Sequence, residues 1–525
     1  MPLCRFAGLA VFLFAAVACG QSPEVDILLK GGTVIDGSGA AGEVADVAVD
    51  DGTIVDVGDL KNAEAVWTID CTGLIVCPGF IDLHNHSDEQ VVSAETRAVV
   101  NFVTQGCTTI VTGNCGSGPV DTGHYYSRID DHGAGVNVAH LIPQGSLRRQ
   151  VLGSDNIEPD ETQLTEMLAL TEQAMQDGAW GMSTGLIYVP SSYASTDELI
   201  SIATVVGRHG GIYASHIRGE GTGVLKSVDE ALRIGREAKL PVHVSHFKSS
   251  GRDAWGLVRE AARMITEARG AGETVTADQY PYVASSTSLG ATLLPSSTRA
   301  GGNKELVKRL DDEAEGKELR RLLKKAIDGR EGGANVRIAR YKPQQKWIGR
   351  SLADIATMEN KPAAEIAAEI LRNGDASVVN FSMNEDDVRH IMAIEWVATA
   401  SDGRAYLPGS DRPHPRNYGT FPRKIAYYAL EEKVLSLEAA IRSMTSLPAD
   451  ILRMKDRGRI RTQMAADITV FDPRTIKDEA TFDDPHQYST GIQYVLVNGV
   501  PALSQGKVTG ALAGKALRFD AGGKN

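Results

Sequence analysis

A chain of 525 residues, 42% hydrophobic and 23% charged, can bury the core of one large soluble domain and still supply a second compact one. Its formal net charge of −13 excludes nucleic acid as a partner, because phosphate binding needs a concentrated basic face and none is visible. The 54 glycines suit a fold with many tight connections between strands and helices.

Residues 1–19 read as an export signal, with Arg5 near the start, an apolar run over 6–18 and then Cys19. The run is too short to cross a bilayer. Ala16-Val17-Ala18-Cys19-Gly20 has the pattern of a bacterial lipobox, in which the cysteine becomes a lipidated N-terminus. The protein is therefore expected to be an exported bacterial lipoprotein, periplasmic or membrane-anchored, that meets a membrane only through this lipid; a plain cleaved secretory signal is the alternative. Cys71, Cys77 and Cys107 lie in apolar stretches with no spacing that fixes a disulfide, so none is expected.

From residue 24 to 78 the pattern is short and alternating, as in Asp26-Ile27-Leu28-Leu29-Lys30 and Thr33-Val34-Ile35-Asp36-Gly37, with Asp-Gly turns between runs. That is the pattern of β-hairpins. The segment 459–520 has the same texture, in Ala466-Asp467-Ile468-Thr469-Val470-Phe471-Asp472 and again around Tyr494. Neither end is large enough for a two-sheet core, so the two are expected to build one β-sandwich together.

The middle, 79–458, alternates short apolar runs with amphipathic stretches, which predicts βα units and a parallel sheet. Candidate strands fall at 79–83, 108–112, 136–141, 181–184, 212–215, 242–245, 275–278 and 397–401, the set of eight that a barrel requires. The expected fold is thus α/β, a (β/α)8 TIM barrel inserted in a β-sandwich formed by the N- and C-terminal segments. A long polar stretch at about 285–391 separates the last two candidate strands. It reads as an inserted subdomain or lid, and its charged part, 303–330, as a solvated helix pair.

Several candidate strands end in a metal-ligand type of residue: His84 and His86, Cys115, His216, His246 and Asp402. In a (β/α)8 barrel these positions share one rim, where the active site is built. Imidazole, thiolate and carboxylate all suit Zn²⁺. A single histidine after a strand is usually a satisfied structural residue; the repetition over five strands is what points to a metal-dependent enzyme. His124, His132, His209, His390 and His486 fall in helical or loop stretches and read as surface residues, while His243 reads as a packing residue.

The run Cys77-Pro78-Gly79-Phe80-Ile81-Asp82-Leu83-His84-Asn85-His86-Ser87-Asp88 resembles the opening barrel motif of the amidohydrolase superfamily. Within it, Gly113-Asn114-Cys115-Gly116, Tyr213-Ala214-Ser215-His216-Ile217-Arg218 and Ser245-His246-Phe247-Lys248 are similar to motifs of the N-acyl-D-amino-acid deacylases, or D-aminoacylases. So are Tyr280-Pro281-Tyr282, Ser401-Asp402-Gly403 and the run from Pro413 to Arg423. The resemblance implies one tightly bound Zn²⁺ at Cys115, His216 and His246, and a second, weaker position formed by His84, His86 and Cys115 with Asp402. It also implies that Zn²⁺ lowers the pKa of bound water to about 7, and that Asp402 takes a proton and returns it to the leaving amine. Lys248, Tyr188, Tyr282, Ser288 and Arg416 are implied around a carboxylate-bearing substrate. One departure is Pro143-Gln144-Gly145-Ser146-Leu147-Arg148, where the family often carries a histidine.

The expected reaction is hydrolysis of the amide of an N-acyl-D-amino acid to a carboxylate and a free D-amino acid. A dipeptidase for peptides with a C-terminal D-residue is chemically the same cleavage. A cyclic-amide hydrolase of the dihydroorotase or hydantoinase type would need a carboxylated lysine, and Gly181-Met182-Ser183-Thr184-Gly185 offers none. A binding lipoprotein without turnover would have no reason to keep Asp402 in its motif.

Overall fold

The computed structural model describes residues 24–520, so the expected export signal and Cys19 lie outside the described residues. The alternating N-terminal runs form strands Val25–Val34, Glu43–Asp50, Thr53–Gly58, Ala65–Asp70 and Ile75–Pro78. Asp51 and Gly52 turn the second into the third with φ of 45° and 73°. A two-residue hairpin needs that backbone, and Asp-Gly supplies it at little cost.

Near the other end of the chain, Ile468–Phe471 runs antiparallel to Ile75–Pro78, with Thr469 opposite Cys77. This pairing joins both ends of the chain in one nine-stranded sheet. Ile27, Leu29, Val47 and Ile54 share a buried core with Ile468, Val470 and Leu496, so the two halves of the sheet close over one another as a sandwich.

Between these ends lie eight parallel barrel strands: Phe80–Asp82, Cys107–Thr112, Asn137–His140 continuing as Ile142–Pro143, Gly181–Gly185, Ile212–His216, Val242–Val244, Val275–Gln279 and Val397–Thr399. The expected fold class is borne out. Alternate residues face opposite ways. Tyr213 and Val397 join the core shared with the surrounding helices. Ile212, Ala214, Ala398, Ala400 and Val111 instead meet in a second core drawn from strands all round the barrel. Continued in steps of two, that second parity leads to Cys115, His216 and Asp402.

The eighth strand closes on the first through a seam of side-chain and backbone bonds. Asp402 N–H donates to His84 O at 2.8 Å and His86 N–H to Gly403 O at 2.7 Å. Buried Asp82 accepts from Ser401 through both the backbone N–H, at 2.8 Å, and the hydroxyl, at 2.5 Å, and from Asn85 at 2.8 Å.

The insertion carries its own three-stranded antiparallel sheet, Ala284–Ser288, Ser377–Phe381 and Val336–Arg340. Helices Gly302–Asp311, Glu313–Asp328, Leu352–Glu359 and Ala363–Arg372 surround it. Two expectations change here. The charged pair over 303–330 is solvated on one face only, because Leu306, Leu310, Leu319, Leu323 and Ile327 bury into a core with Ile338, Trp347 and Ile366. The insertion also ends sooner than 391: helix Glu385–Met392 belongs to the barrel, with Ile391 packed beside Trp396 and Val397.

Candidate metal centre and active-site cavity

The six residues proposed as metal ligands converge at the C-terminal mouth of the barrel. Cys115 Sγ lies 3.2 Å from His84 Nε2, 3.7 Å from His216 Nδ1 and 3.6 Å from His246 Nε2. His86 Nε2 lies 3.1 Å from Asp402 Oδ1, and His84 Nε2 lies 3.6 Å from the same oxygen. All but His86 are buried. The potential ligand atoms form three overlapping triads: His84, His86 and Cys115; Cys115, His216 and His246; and His84, His246 and Asp402.

The donor set fits a bound cation. A tetrahedral ion with bonds of about 2.3 Å to sulfur and about 2.05 Å to nitrogen separates those two donors by about 3.6 Å. Cys115 stands at that distance from both His216 and His246. Burial alone would raise the Cys115 thiol, but the charge on His84 and hydrogen bonds from His216 and His246 outweigh it and hold the thiol well below the usual cysteine range. A buried thiolate ringed by imidazoles is the ligand form of cysteine.

Backbone strain concentrates at this point. Cys115, His246 and Asp402 have φ of 51°, 37° and 50°, a left-handed region that side chains with a Cβ rarely adopt. Hydrogen bonds hold the strained turns in place. Asp88 accepts from Gly113 N–H at 2.7 Å, and Asn114 donates to Leu83 O and Val111 O. Gly185 permits the closest approach, since a Cβ there would stand 2.2 Å from Cys115 O and 2.7 Å from the Tyr188 ring.

Behind the ligands lies a layer of carboxylates that the sequence analysis did not single out. Glu220 Oε1 accepts from His246 Nδ1 at 2.9 Å and from Lys248 Nζ at 2.6 Å, and Oε2 is 3.9 Å from His216 Nε2. Asp278 accepts from His243 Nε2 and from His246 N–H, both at 2.8 Å, and its Oδ2 lies 3.5 Å from His84 Nδ1. Carboxylates in these places fix imidazole tautomers and orientation. Burial would raise Asp278, but the charge on His84 and the hydrogen bond from His243 dominate and keep it ionised. The available signals were modest: Glu220 follows His216 by four residues, and Asp278 ends a candidate strand.

Above the ligands, a cavity of about 540 Å³ opens between the barrel mouth and the insertion. Tyr188, Ser288, Asp402 and Arg416 line it. Arg416 Nη1 donates to Asp402 Oδ2 at 2.7 Å, which leaves Oδ1 to His86 and His84. Burial tends to raise Asp402, yet the Arg416 guanidinium, the His84 charge and the His86 hydrogen bond hold it well below the usual carboxylate range.

Two of the residues expected at the substrate stand elsewhere. Lys248 is buried behind His246 and engaged by Glu220. Tyr282 is buried against His414 and Phe482 with Arg423 over its ring. Gln144, at the expected family departure, is buried; it accepts from Ser191, which lines the cavity, and donates to Glu198 at 3.2 Å.

Of the histidines read as surface residues, His124, His132 and His390 are exposed and His209 is half-buried on Glu172. His486 is a correction. It bridges Tyr418 Oη, at 2.8 Å, and Asp411 Oδ1, at 3.0 Å, and its loop packs onto the helix carrying Arg416. His243 is buried as expected, although its partner Asp278 ties it to the ligand layer.

Comparison with known proteins gives consistent relatives. A model of the amidohydrolase family matches residues 68–502. The chain is 36% identical over 520 residues to D-aminoacylase of Alcaligenes xylosoxydans xylosoxydans, covering 95% of this chain and 98% of that one. Among solved structures, a D-aminoacylase crystal structure matches with a TM-score of 0.81 at 33% identity, over 94% of this chain and all of that one. N-acyl-D-glutamate deacylase from Bordetella bronchiseptica, complexed with zinc and a phosphonate mimic of the tetrahedral intermediate, matches with a TM-score of 0.80 at 32% identity, over 94% of this chain and 100% of that chain.

Proposed function

The chain belongs to the amidohydrolase family, among the N-acyl-D-amino-acid deacylases, and from that premise we propose that it hydrolyses N-acyl-D-amino acids to a carboxylate and a free D-amino acid, using zinc. The observation that carries the proposal is the Cys115–His216–His246 cluster, whose Cys115 reaches the wall of a cavity that also presents an ionised Asp402. The three donors would hold a zinc ion, and His84, His86 and Asp402 beside the shared Cys115 would hold a second, weaker one. A divalent cation there supplies Lewis acidity, polarising the scissile carbonyl and acidifying water.

The protein's own groups account for the proton. Asp402 Oδ2 is held by Arg416, so the carboxylate cannot rotate freely and Oδ1 is kept toward His84 and His86. An ionised Oδ1 in that position accepts the proton of the attacking water as the new C–O bond forms. It returns that proton to the nitrogen as the C–N bond breaks. Tyr188 and Ser288 form walls of the cavity, and Arg416 has donors left for a substrate carboxylate. Tyr188 Oη is tied to Thr287 of the insertion at 3.0 Å, which spans the barrel–insertion boundary beside the site. With the export reading of residues 1–19, a lipid at Cys19 would hold this enzyme at a membrane surface outside the cytoplasm.

The test is a hydrolysis panel of N-acetyl-D-amino acids, their L enantiomers and dipeptides, scored by release of free amino acid. Turnover of N-acetyl-D-amino acids in preference to the other two classes is the expected result. Turnover confined to L enantiomers or to dipeptides would refute the assignment.

A further inference from the structure

Arg416 serves the site in more than one way, and residues on either side of it set its place. Its Nη1 holds Asp402, its Nη2 donates to Ser286 O at 3.3 Å, and its guanidinium lies 4.8 Å from the centre of the Tyr280 ring. A long side chain keeps one position only if the backbone beneath it is fixed as well.

His414 fixes that backbone. Its ring is buried, with Nε2 donating to Ala284 O at 2.9 Å and Nδ1 accepting from Arg416 N–H at 3.0 Å. A carbonyl can only accept and an amide N–H can only donate, so the two partners select the neutral tautomer that carries its proton on Nε2. Burial, and then the Arg416 charge, hold the imidazole well below the usual histidine range, in keeping with that form. Tyr282 and Phe482 stand edge-on to the ring, each with its centroid 5.0 Å away, and resist its rotation.

The two bonds of this ring span the boundary between barrel and insertion. Ala284 opens the strand Ala284–Ser288, which pairs with Ser377–Phe381 of the insertion. Thr287 and Ser288 of that strand line the cavity, and Thr287 meets Tyr188 Oη at 3.0 Å. On the barrel side, Asn417 donates to His414 O at 2.8 Å and accepts from Arg404 N–H, two residues past Asp402, at 2.8 Å. His414 therefore joins the insertion wall to the turn that bears Asp402, with Arg416 between them.

We propose that His414 is a positioning residue of the reaction, acting through Arg416 by setting that guanidinium against Asp402 and the insertion wall. This inference rests on the deacylase reading above for its assay.

The test compares His414→Phe, which keeps a ring and loses both bonds, with His414→Asn, whose amide oxygen can stand where Nδ1 does. Steady-state kcat and KM are measured on an N-acetyl-D-amino acid, beside cooperative melting and metal content by elemental analysis. A displacement of about 1 Å costs about a hundredfold in rate, so His414→Phe is expected to lose about tenfold to about a hundredfold in kcat/KM. Because Arg416 faces both Asp402 and the substrate carboxylate, the loss falls on kcat and KM together, while metal content stays at the wild-type value. His414→Asn recovers part of the loss. A fall in kcat alone at unchanged KM is the mark of a smaller folded fraction and overturns the inference. So does a His414→Asn variant no better than His414→Phe, or a His414→Phe variant within about threefold of wild type. If His414→Phe does not fold, His414→Asn is set against His414→Gln, which reaches Ala284 O but not Arg416 N–H. The Asn variant is then the faster of the two, and the reverse order overturns the inference. All of these outcomes leave the deacylase reading standing. A wild type that hydrolyses no N-acyl-D-amino acid overturns both.

Discussion

Asp402→Asn is the sharpest probe of the proton route, because asparagine keeps the shape and removes only the charge and basicity. In the wild type one oxygen faces His84 and His86 and the other is held by Arg416 at 2.7 Å. The asparagine oxygen can still accept from Arg416, so the cavity keeps its geometry; breaking the buried pair outright would cost about 3–5 kcal/mol, and the retained hydrogen bond recovers part of that. What is lost is the acceptor for the water proton and the donor to the leaving amine. A positioned general base contributes about 10²–10⁴ in rate, or about 3–5 kcal/mol of barrier. Asp402 is not in the triad of Cys115, His216 and His246, so the metal held by those three should remain. The assay pairs steady-state kcat/KM on an N-acetyl-D-amino acid with elemental analysis of the same sample. A variant within tenfold of wild type would refute the proton shuttle. A loss of metal matching the loss of rate would show that Asp402 acts instead through the site's assembly.

Gly185→Ala forces a methyl group against the carbonyl of Cys115. It is expected to destabilise the protein by about 1–3 kcal/mol and to lower metal content by displacing the thiolate, both measurable by thermal melting and elemental analysis. Lys424 supplies a pH test. It is buried, bonded among the described residues to Thr399 Oγ1 at 2.8 Å, and burial pushes its ammonium down to about 7. The unfolded chain keeps that proton until about 10.4. Between those values the unfolded state therefore binds more protons, so this residue makes stability rise with pH by up to about 1.4 kcal/mol per unit. Lys424→Met should stabilise the protein most at and below pH 7 and lose that advantage progressively toward pH 10. A thermal-shift difference that is flat over this window would disprove the buried-lysine account.

Much of this is legible in the sequence. The barrel strands announce themselves as short apolar runs because both faces of a barrel strand are buried, and five of them end in ligand-type side chains. Residues that act at a distance left weaker marks. Glu220 sits in a loop, where no periodicity predicts what it faces, and Asp278 looked like an ordinary strand end. Lys248 and Tyr282 lie within recognisable motifs, yet whether a side chain faces the cavity or turns behind a ligand depends on packing that no motif encodes. His486 was misread for a related reason, since its partners Tyr418 and Asp411 come from distant stretches of chain. The helix pair over 303–330 looked solvated because charges outnumber apolar residues there; its few leucines fall on one face and bury.

The seam between the first and last barrel strands has a consequence for how the enzyme matures. Asp82 and Ser401, which bind one another across it, are separated by 319 residues of chain. His84, His86 and Asp402 ride on the same seam, so their half of the metal centre does not exist until the barrel has shut. The other half, on the second, fifth and sixth strands, can assemble from a shorter stretch. Completeness of the site is thus tied to topology: Cys115 and His246 are 131 residues apart in the chain, whereas the contact of His86 with Asp402 closes a loop of 316.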